Sequence, residues 1–208
     1  MIHIPGSTYR LQFNKDFNFN SAKDIIPYLS SLGITDIYAS PILKAKKGSM
    51  HGYDFVDPNH INPELGSAED YRKLCEEYEK HHMYWLQDIV PNHMAYNSEN
   101  LMLVDLLENG PNSRYYDFFD IEWNHPFSRI RDRVLAPFLG KFYQETLENG
   151  EIKLAYDQEG FSVNYYENRL PVKMESYHDI LSHRLDKLRN RLGRNSTDFI
   201  KFQEFYMY

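Results

Sequence analysis

The sequence predicts an α/β fold in which three parallel strands, joined by two helices, are followed by an inserted α+β region. Three observations predict it. Apolar runs at residues 9–13, 34–39 and 84–90 alternate with segments of helical periodicity. The second and third runs lead into polar groups, Ser40-Pro41-Ile42 after one and Asp88-Ile89-Val90-Pro91-Asn92-His93 at the end of the other. Beyond residue 93 the pattern changes to short pieces punctuated by turn signals. Parallel strands that deliver polar groups from their C-terminal ends build a pocket on one face of the sheet, as α/β barrels do.

Taken in order, Tyr9-Arg10-Leu11-Gln12-Phe13 reads as the first short strand. A helix follows, capped by Asn20 or Ser21, with Ala22, Ile25, Ile26, Leu29 and Leu32 at helical spacing and Gly33 at its stop. Pro27 inside that pattern should bend the helix or delay its start. The second strand, residues 34–39, is almost continuously apolar, as expected of a parallel strand buried on both faces. Residues 41–66 carry no periodicity and much Gly, Pro and Asn, and are expected to form a long functional loop. Ser67-Ala68-Glu69-Asp70 then caps a second helix, whose apolar face is Ala68, Tyr71, Leu74, Cys75 and Tyr78. Cys75 reads as core filling. Residues 84–90 form the third strand, completing βαβ units of the right-handed kind.

In the second half, residues 97–140 are expected to be short helical or irregular pieces, with a turn at Asn109-Gly110-Pro111. Asn149-Gly150 between residues 142–147 and 152–156 predicts a β-hairpin. Glu159-Gly160 before residues 161–166 predicts a second turn. Two helices close the chain, one over residues 176–192 and one from Ser196 onward.

Composition narrows the partners. The 208 residues are 25% charged and 42% hydrophobic, ordinary for a soluble globular protein, but 15% aromatic, with 17 Tyr and 13 Phe. That richness suits a sugar site and equally suits a tyrosine-rich core. A net charge of −7 argues against nucleic acid and against anionic membranes. A lone cysteine excludes internal disulfides and fits a reducing cytoplasm. Met1-Ile2-His3-Ile4-Pro5 lacks the pattern of a signal peptide, and no apolar stretch approaches the ~20 residues needed to span a bilayer. The expected location is therefore cytoplasmic.

Two clusters carry chemistry. In Asp88-Ile89-Val90-Pro91-Asn92-His93, His93 can donate to a sugar hydroxyl while Asp88 orients a neighbouring arginine or imidazole; equally, the segment is a strand end and turn with His93 merely exposed. In His51-Gly52-Tyr53-Asp54, Tyr53 offers a flat ring to a pyranose while His51 and Asp54 bind hydroxyls; equally, Gly52 makes a turn that Tyr53 anchors. Lys44, Lys46 and Lys47 are read as a solvated patch, since no Gly-rich phosphate loop accompanies them. Nine histidines include no zinc-ligand spacing. Asn92 is an oxygen ligand available to calcium.

Thr8-Tyr9-Arg10-Leu11-Gln12-Phe13, Leu32-Gly33 before a strand, Ser40-Pro41, His51-Gly52-Tyr53-Asp54 and Asp88-Ile89-Val90-Pro91-Asn92-His93 occur in that order. Over almost the whole chain this resembles the α-amylase superfamily of retaining glycoside hydrolases and transglycosylases. The Thr-Tyr-Arg-Leu-Gln opening, Met94-Ala95 after His93 and the meander from Leu139-Gly140 to Pro171 resemble its trehalose-forming branch. The resemblance implies an incomplete (β/α)8 TIM barrel, its first three βα units in residues 1–95, with an inserted α+β domain B in residues 96–208. It implies substrate binding by Tyr53, stacked on the central glucose, with His93 hydrogen-bonding that sugar and Asp88 beneath. Asp54, His51, Gln12, Ser40 and Asn92 complete the implied substrate-binding set. Asn92 matches a calcium-ligating position of many amylases, although this branch is not expected to need the metal, and no cofactor is expected.

The implied reaction converts the reducing-end α-1,4 linkage of a maltooligosaccharide into an α,α-1,1 linkage, by intramolecular transglycosylation through a covalent glycosyl-enzyme. An α-glucan hydrolase or a non-catalytic sugar-binding remnant are the alternatives. Retaining chemistry needs two carboxyl groups about 5–5.5 Å apart. The resemblance puts the nucleophile in an Arg-x-Asp motif ending the fourth strand and the acid in a Glu ending the fifth. Arg184-Leu185-Asp186 has the nucleophile's pattern but falls in an amphipathic helical stretch, so it is not expected to serve. The catalytic carboxylates, and the rest of a barrel that takes ~250 residues, are expected beyond Tyr208. The chain alone is expected to be inactive.

Overall fold

In the computed structural model, which describes residues 3–183, 185–193, 196–198, 200–201 and 204, the chain opens with strand β1 (Thr8–Leu11) and helix α1 (Phe19–Ser31). Strand β2 (Asp36–Ala39) follows, then β3 (Leu43–Ala45), β4 (Phe55–Ile61), helix α2 (Ala68–Lys80) and β5 (Tyr84–Gln87). Strands β1, β2 and β5 form a parallel sheet in that order, with Arg10 opposite Tyr38 and Tyr38 opposite Leu86. These elements lie in the unit Met1–Leu101; a second unit spans Met102–Tyr208.

Strand alternation explains the first unit's organisation. Side chains two residues apart share a face, so Leu11, Phe13, Ile37 and Ala39 go together and are buried. They pack with Phe19, Ala22, Ile26 and Leu29 of α1 and Leu74 of α2 in one apolar cluster. Fully burying a side chain such as Ile26 or Ile37 contributes about 1.5–3 kcal/mol. The other face receives Arg10, Tyr38 and Leu86, and Leu86 remains 48% exposed. Aromatic rings fill the rest of the helix side, where Trp85 meets Phe13, Tyr71 and Tyr78. Cys75 is half-buried within α2.

Helix α1 starts earlier than its sequence suggests. Asn18, rather than Asn20 or Ser21, is the cap, its side chain accepting from the Ser21 backbone N–H at 3.1 Å. Pro27 stays inside the helix on its exposed side, where water can take the carbonyl that its missing N–H leaves unpaired. Helix α2 has the full capping box. Ser67 Oγ accepts from the Asp70 N–H at 3.1 Å, and Asp70 Oδ2 accepts from the Ser67 N–H at 2.8 Å. The Asn20 amide also donates to Asp70 Oδ1 at 3.1 Å, tying the starts of α1 and α2 together.

Residues 41–66 are not a structureless loop. They contain the antiparallel pair β3–β4 and a 3-10 turn at Pro63–Leu65. The register shifts on both sides of Lys44, and Pro58 lies within β4 in the stretch between Asp57 and Ile61 that the shift skips, so no clean alternation shows in the sequence.

The second unit contains helix α3 from Met102 on (Leu101–Asn109), a 3-10 turn at Gly110–Asn112, helix α4 (Tyr143–Glu148) and an antiparallel meander. The meander is β6 (Ile152–Asp157), β7 (Gly160–Tyr165) and β8 (Asn168–Pro171). Residues 142–147 were expected as a strand of a hairpin but form α4. Asn149-Gly150 ends that helix instead: the Gly150 N–H donates to the Leu147 carbonyl and the Glu151 N–H to the Thr146 carbonyl, with Gly150 at φ +68°. This is the Schellman pairing, which needs the same left-handed residue as a tight hairpin. Gln144, three Glu residues nearby and a Gln144–Glu148 hydrogen bond of 2.8 Å favour the helix.

The helix read over residues 176–192 is two, α5 (Ser176–Ser182) and α6 (Leu185–Leu192), with His183 extended between them. No Gly or Pro marks that break. Asp186 is helical in its backbone, so the Arg184-Leu185-Asp186 pattern does not end a strand; Arg184 and Tyr208 lie outside the described residues, as does much of the segment from Ser196 onward. Among the described residues no helix is long and apolar enough to cross a membrane.

The capping box predicts an acid transition. Ser67's hydroxyl and backbone N–H, with the Asn20 amide, hold the Asp70 carboxyl down at about 2. A depressed folded-state value contributes stability that is complete above the unfolded carboxyl's ~3.9 and is lost as pH falls through the folded value. Urea midpoints of the wild type should therefore fall between about pH 4 and pH 2. Asp70→Asn should be less stable at neutral pH and lack that component of the fall.

Candidate functional site

The open face of the parallel sheet gathers polar groups at the C-terminal ends of its strands. Asp88 follows β5, and its backbone N–H extends the ladder by donating to the Ala39 carbonyl at 2.9 Å. Its Oδ2 accepts from the Tyr53 hydroxyl at 2.5 Å and from the Tyr38 hydroxyl at 3.1 Å. Arg10, from β1, donates through Nη2 to Tyr53 Oη at 3.1 Å and through Nη1 to Gln12 Oε1 at 2.8 Å. Its guanidinium carbon sits 5.6 Å from the centre of the Tyr38 ring. The result is a chain of contacts from β1 across β2 to β5, with Tyr53 bridging from the loop between β3 and β4.

That loop is braced from within. Gly52 has φ +77°, and a Cβ there would lie 2.7 Å from the Pro41 carbonyl oxygen, so glycine is required twice over. Ser49 Oγ accepts from the Gly52 N–H at 3.1 Å and hydrogen-bonds closely to Asp54 Oδ1. Asp54 thus holds its own loop, with His51 Nδ1 3.7 Å away. The Tyr53 N–H donates to His51 Nδ1 at 3.1 Å. With Nδ1 accepting, Nε2 is the ring nitrogen left to donate. Gln12 Nε2 completes the loop's attachment by donating to the His51 and Met50 carbonyls at 3.2 and 3.4 Å.

The remaining sequence-predicted residues divide. Ser40 is buried, and its Oγ is spent accepting the Phe13 N–H at 2.8 Å, which joins the ends of β1 and β2. Asn92 and His93 are exposed on the turn after β5, where the His93 N–H donates to the Val90 carbonyl at 3.2 Å. Among the described residues no three His, Cys, Asp or Glu side chains converge as a metal set, and calcium requires six to eight oxygens.

Arg10 and Tyr38 were not read as site residues. The signal for them lay in register: a lone arginine and a mid-strand tyrosine, both off the apolar face, become direct partners once β1 and β2 pair. Electrostatics follow from these contacts. The hydrogen bond to Asp88 pushes the Tyr53 phenol above its ordinary value, with Arg10 pulling the other way. The hydrogen bond to Tyr53 raises Arg10 in turn. What the cluster can do is hold a partly exposed aromatic ring at the strand ends, with the His51 ring stacked beside it at 6.0 Å.

The alpha-amylase catalytic-domain family matches residues 19–168 of this chain. A putative maltooligosyl trehalose synthase of Mycobacterium tuberculosis is 38% identical over 142 residues, covering 64% of this chain and 18% of that protein. A crystal structure of a maltooligosyl trehalose synthase is 40% identical with a TM-score of 0.72, covering 81% of this chain and 22% of its own. The maltooligosyltrehalose synthase structure from Arthrobacter ramosus is 34% identical with a TM-score of 0.71, covering 83% and 22%. The chain thus spans about a fifth of the length of these relatives.

Replacing Asp88 by Asn removes the negative charge that disfavours the Tyr53 phenolate. The Tyr53 phenol should then titrate lower, towards the ordinary ~10. NMR of ring-labelled tyrosines, with Tyr53→Phe for assignment, reads this shift; an unmoved titration would mean that the two groups do not bond in solution.

Proposed function

The chain belongs to the alpha-amylase family, and from that premise we propose that it forms part of a glucan-rearranging enzyme: residues 1–95 as the first three βα units of a (β/α)8 barrel and residues 96–208 as an inserted domain B. The proposed reaction converts the reducing-end α-1,4 linkage of a maltooligosaccharide into an α,α-1,1 linkage by intramolecular transglycosylation. The single observation that carries the reading is the Tyr53–Asp88–Arg10–Tyr38 cluster at the strand ends, in a chain 38% identical over 142 residues to a putative maltooligosyl trehalose synthase. In this reading Tyr53 stacks on the central glucose, and His51 and His93 donate to its hydroxyls. Gln12 and Ser40 shape the subsite through backbone groups, Asp54 shapes it through the Ser49 hydroxyl, and Asn92 flanks it. No cofactor enters. A single cysteine suits the reducing cytoplasm in which we place the reaction.

Asp88 does not suit the nucleophile's role, because one of its oxygens already accepts two phenolic hydroxyls. The nucleophile and acid, about 5–5.5 Å apart, are proposed to come from later strands of the enzyme. Their glycosyl-enzyme must be shielded from water, since transfer to water would give hydrolysis instead of rearrangement.

Maltopentaose is the test substrate. The 208-residue chain alone should bind it without changing the number of reducing ends. An enzyme containing this chain and the remaining strands should remove reducing ends while total sugar stays constant. A gain in reducing ends would favour an α-glucan hydrolase, and turnover by the chain alone would overturn the assignment of the carboxylates elsewhere.

A further inference from the structure

Arg10 stands out among the groups of the open sheet face. It is exposed, yet both of its terminal nitrogens are committed, one to Gln12 and one to Tyr53, while its guanidinium carbon lies 5.6 Å over the Tyr38 ring. An arginine is charged at every working pH and can only donate. Where Nη2 meets Tyr53 Oη, the phenol oxygen must therefore accept, and its single proton must point elsewhere. The structure sends that proton to Asp88 Oδ2. The hydroxyl is thus used in both directions, and Tyr53 has its ring to offer a ligand. Gln12 is oriented by the same fork: its Oε1 faces Arg10, so its Nε2 faces the carbonyls of residues 50 and 51.

We propose that Arg10 is the positioning residue for Tyr53, fixing the ring as a sugar-stacking platform by holding its phenol oxygen with one nitrogen and, through Gln12, the preceding loop backbone with the other. The inference rests on the sugar-binding reading for its ligand but not for its geometry. It also separates two arginine properties. Charge alone would survive Arg10→Lys, whereas the two-pronged contact would not, because an ammonium is a point donor without the planar fork.

The experiment uses the 208-residue chain as wild type, Arg10→Lys, Arg10→Gln, Tyr53→Phe and the double variant Arg10→Gln/Tyr53→Phe. Without ligand, NMR of ring-labelled tyrosines follows the Tyr53 phenol. Loss of the arginine that favours the phenolate should move its titration up in Arg10→Gln, with Arg10→Lys between. With maltopentaose, Arg10→Gln should weaken affinity about tenfold with an unchanged melting midpoint, and Arg10→Lys should restore only part of it. In the Tyr53→Phe background, where the phenol oxygen is gone and only the hold through Gln12 remains to be lost, Arg10→Gln should weaken affinity by about threefold rather than about tenfold. An equal loss in both backgrounds would show that Arg10 acts apart from Tyr53 and would overturn the proposal. So would an unmoved Tyr53 titration together with unchanged affinity. If wild type binds no maltopentaose, the functional reading fails, while the ligand-free titration still decides whether Arg10 holds Tyr53.

Discussion

The carboxylate of Asp88 is the point on which the open face of the sheet depends. It accepts hydroxyls from Tyr38 of β2 and from Tyr53 of the loop, so one anion joins two separate segments to the end of β5. Hydrogen bonds to an ionised acceptor are roughly twice as strong as neutral ones, which suits a contact that must order a partly exposed loop. Asp88 is itself placed by the ladder bond to Ala39, and Ala39 belongs to the buried face. Packing on one side of the sheet therefore sets where the carboxylate stands on the other.

That division of faces runs through the unit. Leu11, Ile37 and Ala39 spend their burial on helices α1 and α2, and alternation sends Arg10 and Tyr38 the other way. Polar groups on the open face then satisfy one another. The loop bearing Tyr53 needs glycine at residue 52, where only a residue without Cβ can pass the Pro41 carbonyl, and the Ser49, Asp54 and Gln12 contacts hold it there. The loop is consequently held at both ends of the tetrapeptide that carries its chemistry.

Where sequence reading failed, it failed on signals with two structural meanings. Asn149-Gly150 marks a left-handed residue, which a hairpin turn and a helix stop both require; buried Thr146 and the helix-forming residues around it decided for the helix. The β3–β4 pair leaves no alternation in the sequence because its register shifts on both sides of Lys44. Asn18 is the cap although Asn20 and Ser21 offer the same chemistry nearer the apolar repeat. Ser67-Ala68-Glu69-Asp70, by contrast, was read correctly because a capping box is made entirely by residues three apart on one chain segment.

By itself the sequence determined what local chemistry determines: the parallel strand segments, the helix faces, the capping box and the residues His51, Tyr53, Asp54, Asp88 and His93 as a polar set. Their periodicities are properties of neighbouring residues, so they need no partner to be legible. Only the tertiary structure decided that Arg10, Tyr38, Tyr53 and Asp88 form one connected cluster, that Ser40 Oγ accepts a backbone N–H, and that Asn92 and His93 are exposed. Those facts depend on strand register and on a loop crossing more than thirty residues of sequence to reach Asp88. Register is set by how the whole buried face packs, and no local window of residues contains it.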